Sequence, residues 1–136
     1  KYLYRIINRT SPLSIEKGRA WLVMKDLNLE KMQDCTSIIE GKHDFTTFRS
    51  VNCQSKSAIK TLTSCKITRQ DDNIYFGFVA PSFLQHQIRS IVGTIKMVGE
   101  EIWEVERFQE ALEAKDRSKC GALAPPCGLY FADVNY

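Results

Sequence analysis

His86, Arg89, Gly93 and Lys96 stand at steps of three and four within F-L-Q-H-Q-I-R-S-I-V-G-T-I-K-M-V-G, residues 83–99. On a helix such steps place side chains on one face. The arginine at its centre presents a planar fork that pairs with a carboxylate or a phosphate through two parallel hydrogen bonds. Gly93 costs about 1 kcal/mol relative to Ala in a helix interior, and such a cost points to the close approach of backbone or ligand. The same pattern also fits an ordinary amphipathic helix carrying a solvated arginine beside a helix-packing glycine.

A second group is G-K-H-D-F-T-T-F-R, residues 41–49, followed by Lys56 and Lys60. Phe48 and Arg49 combine an aromatic ring with a guanidinium, a pairing that stacks on bases and binds phosphate. The alternative is a loop pinned to the core by Phe45 and Phe48, with solvated charges behind it. His43 and Asp44 are adjacent, so their side chains need not meet. No G-x-S-x-G, H-E-x-x-H or glycine-rich phosphate loop occurs in the sequence. Cys120 and Cys127 would make only half of a metal site. The five cysteines (Cys35, Cys53, Cys65, Cys120, Cys127) are odd in number and contain no C-x-x-C; reduced thiols in a cytosolic protein fit them best. Tyr2 reads most simply as a core aromatic.

These residues need elements to hold them. Alternation predicts a strand over 2–8, with Tyr2, Tyr4 and Ile6 on one face. Residues 9–18 read as a loop and 19–24 as a short strand. Asn28 is the expected N-cap of a helix through Ile39, with Leu29, Met32, Thr36 and Ile39 inward and Gly41 at its stop. Residues 42–58 read as polar and irregular, and strands are expected at about 60–69 and 73–80 around the turn Gln70-Asp71-Asp72. Ser82 and Gln85 form a capping box, so the arginine helix is expected from Ser82 to Val98, with Ser82→Ala costing about 1 kcal/mol. Its apolar stripe is Leu84, Ile88, Ile91, Val92, Ile95 and Val98. A helix over about 103–115, a turn at Ala124-Pro125-Pro126 and a strand from Leu129 to Val134 complete the chain.

The order β, α, β, β, α, α, β predicts one α+β domain over 1–136, an antiparallel sheet with helices packed on one face, close to a split βαβ arrangement. With 136 residues, 43% hydrophobic and 26% charged, the chain is globular in composition, and its net charge of +3 permits an anionic partner without requiring one. No stretch approaches the roughly 20 apolar residues of a membrane span. The chain opens at Lys1 directly into the first strand, as a piece of a longer protein would.

Several segments recur in the order of a known family. K-Y-L-Y-R-I-I at 1–7, the 41–49 segment with V-N-C-Q-S at 51–55, F-L-Q-H-Q-I-R-S-I-V-G at 83–93, A-K-D-R at 114–117 and A-P-P-C-G-L-Y-F at 124–131 together resemble the C-terminal half of the tRNA pseudouridine synthase A family. The resemblance implies the fold of that family's C-terminal domain and the isomerisation of uridine to pseudouridine in the anticodon stem-loop of tRNA. It implies that the catalytic aspartate lies in a G-R-T-D-A-G segment, which these residues do not contain, so that the chain by itself is expected to be inactive. By matching position, Arg89 pairs with that aspartate, Tyr2 packs on the target base and acts as the base or orients it, and Leu129 forms the pocket's other wall. Phe48, Arg49 and His86 are the further expected substrate contacts. The resemblance also implies tRNA as partner, a cytoplasmic homodimer for the full-length protein, and no metal or other cofactor. Gln87 departs from the family's usual methionine, and Lys60 stands where arginine is common. The competing reading is a free-standing, non-catalytic RNA-binding module. The strand Ile74-Tyr-Phe-Gly-Phe-Val-Ala80 would carry its stacking aromatics, although it lacks the basic lead of such motifs.

Overall fold

The computed structural model describes residues 1–9, 20–50, 57–84 and 86–131. The loop expected over most of 9–18, the V-N-C-Q-S segment with Cys53, Lys56, Gln85 and the end of the last expected strand lie outside the described residues.

Strands β1 (Tyr2–Asn8), β2 (Trp21–Val23), β5 (Ser64–Gln70), β6 (Asn73–Val79) and β7 (Leu129–Phe131) form the main sheet. β1 is its hub. One edge pairs antiparallel with β6 from Tyr2↔Phe78 to Ile7↔Asn73. The other edge is shared: Tyr2–Tyr4 pair antiparallel with β7, and Ile6–Asn8 pair with β2. The β1–β2 pair is parallel, a short exception in a sheet whose other pairings are antiparallel. A parallel neighbour needs a crossover rather than a hairpin.

The sheet's period-two pattern puts Tyr4, Ile6, Ile67, Ile74, Phe76 and Phe78 on a single covered face. Helices α1 (Leu29–Ile39), α2 (Gln87–Gly99) and α3 (Val105–Ala114) contribute Met32, Ile39, Ile91, Ile95 and Phe108 to the same core. The α+β architecture is therefore as expected. α1 starts where predicted: the Asn28 side chain accepts from Lys31 N. Its inner face includes Cys35, fully buried, which the expected list omitted. Burial and the neighbouring Asp34 push the Cys35 thiol up to about 12. The thiol is therefore neutral at physiological pH and packs as a small apolar group.

Two segments differ from expectation. The polar stretch after Gly41 forms strand β3 (Gly41–Asp44), paired with β4 (Ile59–Leu62) in a separate two-stranded ribbon. The single strand expected over 60–69 is thus two strands in two sheets. Leu62 and Cys65 are both buried but three residues apart. A continuous strand would put them on opposite faces, so the chain breaks at Thr63.

Asp44 closes the ribbon. Its Oδ1 accepts from Thr46 N at 2.9 Å and from Thr46 Oγ1 at 2.6 Å. The hydroxyl bond foremost, then the backbone bond, hold its carboxyl below the ordinary aspartate range against the effect of burial. A carboxyl depressed in the folded state stabilises the fold above its unfolded pKa and loses that contribution as pH falls through the folded one. Asp44→Asn is therefore expected to be less stable than the parent at neutral pH, with the difference closing below about pH 4; urea titrations across pH check this.

Candidate active-site cavity

α2 begins later than the capping box predicts. It starts at Gln87, preceded by His86 in the left-handed region at φ 64°. Ser82 is exposed and lies before the helix, so the expected cost of Ser82→Ala does not apply. The reaching-back role falls to Gln87, whose Oε1 accepts from Leu84 N at 2.8 Å while Gln87 N donates to Leu84 O at 3.1 Å. This tight reversal turns the chain between β6 and α2 and brings Phe83, His86 and Arg89 beside the start of β1.

There they enclose a cavity of about 350 Å³, whose walls include Tyr2, Phe83, His86, Gln87, Arg89 and Leu129. The β1–β7 register explains the far wall: Tyr2 pairs with Phe131 and Tyr4 with Leu129. The Tyr2 ring is held between two edge-on aromatic contacts, Phe83 at 5.2 Å and Phe131 at 5.3 Å between centroids. Such contacts fix a ring's orientation.

Arg89 is fastened at its base. Its Nε donates to Ala124 O at 2.8 Å, and its own carbonyl accepts from Ala124 N at 2.9 Å. Among the described residues no acceptor meets either Nη nitrogen. The guanidinium thus has its stem fixed and its Nη donors without an acceptor among the described residues, and Arg89 is part of the cavity lining. Gly93 makes this possible. A Cβ there would sit 2.1 Å from Ala122 O and 2.9 Å from Ala124 N. The glycine lets the 122–124 backbone lie against α2, where Ala124 can bracket Arg89.

Tyr4 secures the next residue. Its hydroxyl donates to Pro125 O. Burial pushes the phenol above the ordinary tyrosine range, Cys127 acts in the same direction, and the nearby Arg89 guanidinium opposes both. The phenol therefore stays protonated and keeps donating. Consecutive carbonyls, Ala124 and Pro125, are tied to Arg89 and Tyr4. Tyr4→Phe leaves the Pro125 carbonyl without its donor and is expected to cost about 1–2 kcal/mol, read by urea unfolding.

The predicted residues do not all converge. Tyr2, His86, Arg89 and Leu129 line one cavity. Lys96, on the same helix face by spacing, is instead paired with Glu100 at 2.9 Å and lies over the Trp21 ring. Phe48 is fully buried and stacks on Phe108 at 5.7 Å. That burial corrects its expected role as a base-contacting ring and favours the core-pinned loop. Arg49 is not in the cavity wall; its carbonyl accepts from Arg117 Nη1 at 2.7 Å. His43 and Asp44 act apart, His43 Nε2 bonding Glu40 O and Asp44 bonding Thr46. Phe83, Leu84, Gln87, Ile88 and Pro126 also line the cavity and were missing from the expected site. Phe83 was visible as the opening residue of the helix motif, whereas the Gln87 contact depends on where α2 starts. Among the described residues Cys35, Cys65, Cys120 and Cys127 are free thiols, and no group of three metal-binding side chains occurs. No described helix is long and apolar enough to cross a membrane.

A family profile described as tRNA pseudouridine synthase matches residues 37–136. Over 135 residues the chain is 50% identical to the tRNA pseudouridine synthase A of Parvibaculum lavamentivorans. It is 51% identical to that of Sinorhizobium medicae and 50% to that of Agrobacterium fabrum over the same length. Each alignment covers 99% of this chain but 55%, 55% and 51% of the respective relatives. The chain thus spans about half the length of the curated relatives it matches.

Proposed function

This chain belongs to the tRNA pseudouridine synthase family, and from that premise we propose that the Arg89 cavity is the C-terminal share of a uridine-isomerising active site. The full-length protein converts uridine to pseudouridine in the anticodon stem-loop of tRNA. The observation that carries this reading is the fastened Arg89, its Nη donors without an acceptor among the described residues, in the lining of a cavity shared with Tyr2 and Leu129. An arginine held in that way suits a carboxylate from outside these residues, the aspartate of the N-terminal half. The pair orients the carboxylate and keeps it ionised.

The target uridine leaves its stack and enters the cavity. Tyr2, steadied by Phe83 and Phe131, packs on one side of the base and Leu129 closes the other, with His86 at the mouth. The aspartate helps break the bond from the sugar to N1. The uracil turns, and carbon 5 bonds to the sugar. Carbon 5 then loses its proton, with Tyr2 as the base or the group that orients it, and N1 ends protonated. The reaction is an isomerisation, so electrons and atoms balance without a redox partner, a nucleoside triphosphate or a metal. Arg49, on the ribbon side, serves tRNA rather than the base. The full-length protein works as a cytoplasmic homodimer, and residues 1–136 alone do not turn over.

The competing RNA-binding module needs aromatics on an open sheet face. Phe76 and Phe78 are fully buried, which leaves Tyr75 as the one part-exposed aromatic of that strand and disfavours it. Tritium release from tRNA labelled at uracil carbon 5 is the test. The full-length protein is expected to release tritium and residues 1–136 to release none. Release by the short chain at the full-length rate, or none by the full-length protein, overturns the proposal.

A further inference from the structure

Gln87 is 1% exposed and forms part of the cavity wall. Its amide orientation is determined. The Leu84 N–H, 2.8 Å away, can only donate, so the atom facing it is the acceptor Oε1. The Nε2 group is therefore at the opposite corner of the planar amide, and among the described residues nothing accepts from it. The only fully buried side-chain nitrogen or oxygen without a partner among the described residues is Arg117 Nε, so Gln87 Nε2 keeps access to open space, and its residue is part of the cavity lining. The unmet donor sits two positions from Arg89 and within the same walls as Tyr2 and Leu129.

Uracil supplies the complementary atom. Its ring carries carbonyl oxygens at carbons 2 and 4. A half-turn about the axis through N3 and carbon 6 exchanges N1 with carbon 5, as the isomerisation requires. The same half-turn exchanges the two carbonyls. A single fixed donor can thus meet one carbonyl before the turn and the other after it.

We propose that Gln87 is a substrate-binding residue whose Nε2 donates to a ring carbonyl of the flipped uracil, serving one carbonyl before reorientation and the other afterwards. The contact rests on the reading of this cavity as a uridine pocket. It holds the detached ring in register without blocking its turn, because both orientations present an oxygen at the same place.

The test uses full-length protein and tRNA transcripts with uridine, 4-thiouridine or 2-thiouridine at the target position. Sulfur is a poor hydrogen-bond acceptor, so each thio substrate is expected to slow the parent enzyme by about three- to tenfold. Gln87→Leu is expected to slow uridine turnover by a similar factor and to show no further loss with either thio substrate. Gln87→Glu keeps an acceptor for Leu84 N–H while removing the donor, and is expected to lose the same thio sensitivity with its fold retained. Losses that multiply for both thio substrates overturn the contact. Non-additivity for only one of them overturns the service of both carbonyls and retains the contact to that one. No turnover of uridine by the parent overturns the pocket reading as well, whereas multiplicative losses in an active parent overturn Gln87 alone.

Discussion

Arg89→Ala in the full-length protein is expected to lower kcat by about 10²–10³-fold while tRNA affinity stays nearly unchanged. Under the proposed function Arg89 meets the reacting region through its outer edge, whereas affinity for a nucleic acid rests largely on phosphate contacts spread over a wider surface. The same side chain uses Nε to hold Ala124 O. Its removal therefore also costs about 1 kcal/mol of stability, too little to unfold a typical domain. Single-turnover kinetics at saturating enzyme separate the two effects from binding. Arg89→Lys keeps the charge but has only one nitrogen to serve both Ala124 and the carboxylate, so it is expected to restore only a small part of the rate. An unchanged kcat in Arg89→Ala removes the pairing role.

Gly93→Ala is the second large effect, and its sign is opposite to helix propensity. Alanine at a helix interior ordinarily gains about 1 kcal/mol over glycine. Here the new methyl meets the backbone of Ala122 at 2.1 Å and 2.6 Å and that of Ala124 at 2.9 Å. Backbone cannot rotate aside as a flexible side chain can, so the 122–124 segment must move. Overpacking of this kind costs about 1–3 kcal/mol, and net destabilisation of about 2 kcal/mol is expected by urea unfolding. The segment that moves is the one bracketing Arg89, so turnover should fall as well. Equal or greater stability in Gly93→Ala shows that the segment yields freely and that the bracket is not built on the glycine.

The sequence already marked Gly93 as a place of close approach; the approaching group, the Ala122–Ala124 backbone, comes from a distant part of the chain and carried no local signal. The boundaries of β1 and the Asn28 cap were legible because alternation and capping are local. The start of α2 was not. Ser82 and Gln85 fit a capping box by spacing, but Gln87 fills that role through Leu84, and His86 takes a left-handed conformation that glycine or asparagine would have advertised better. The split between β4 and β5 was legible in principle, since Leu62 and Cys65 are an odd number of residues apart. Phe48 illustrates the converse: beside a guanidinium in a polar run it looks like a stacking ring, and only its partner Phe108, sixty positions on, places it in the core. Tyr2, Arg89 and Leu129 come from β1, α2 and β7, and His86 from the turn before α2. The β1–β7 register and the turn before α2 bring them together, and neither pairing is written in any one segment.

The central claim is that Arg89 is built to meet a carboxylate supplied from outside these residues. A crystal structure of the full-length protein measures this directly. The two Arg89 Nη nitrogens are expected within about 3 Å of an aspartate carboxylate from the N-terminal half, with Nε still on Ala124 O. An Arg89 whose Nη nitrogens face only water, with no carboxylate of that half at the cavity, would contradict it.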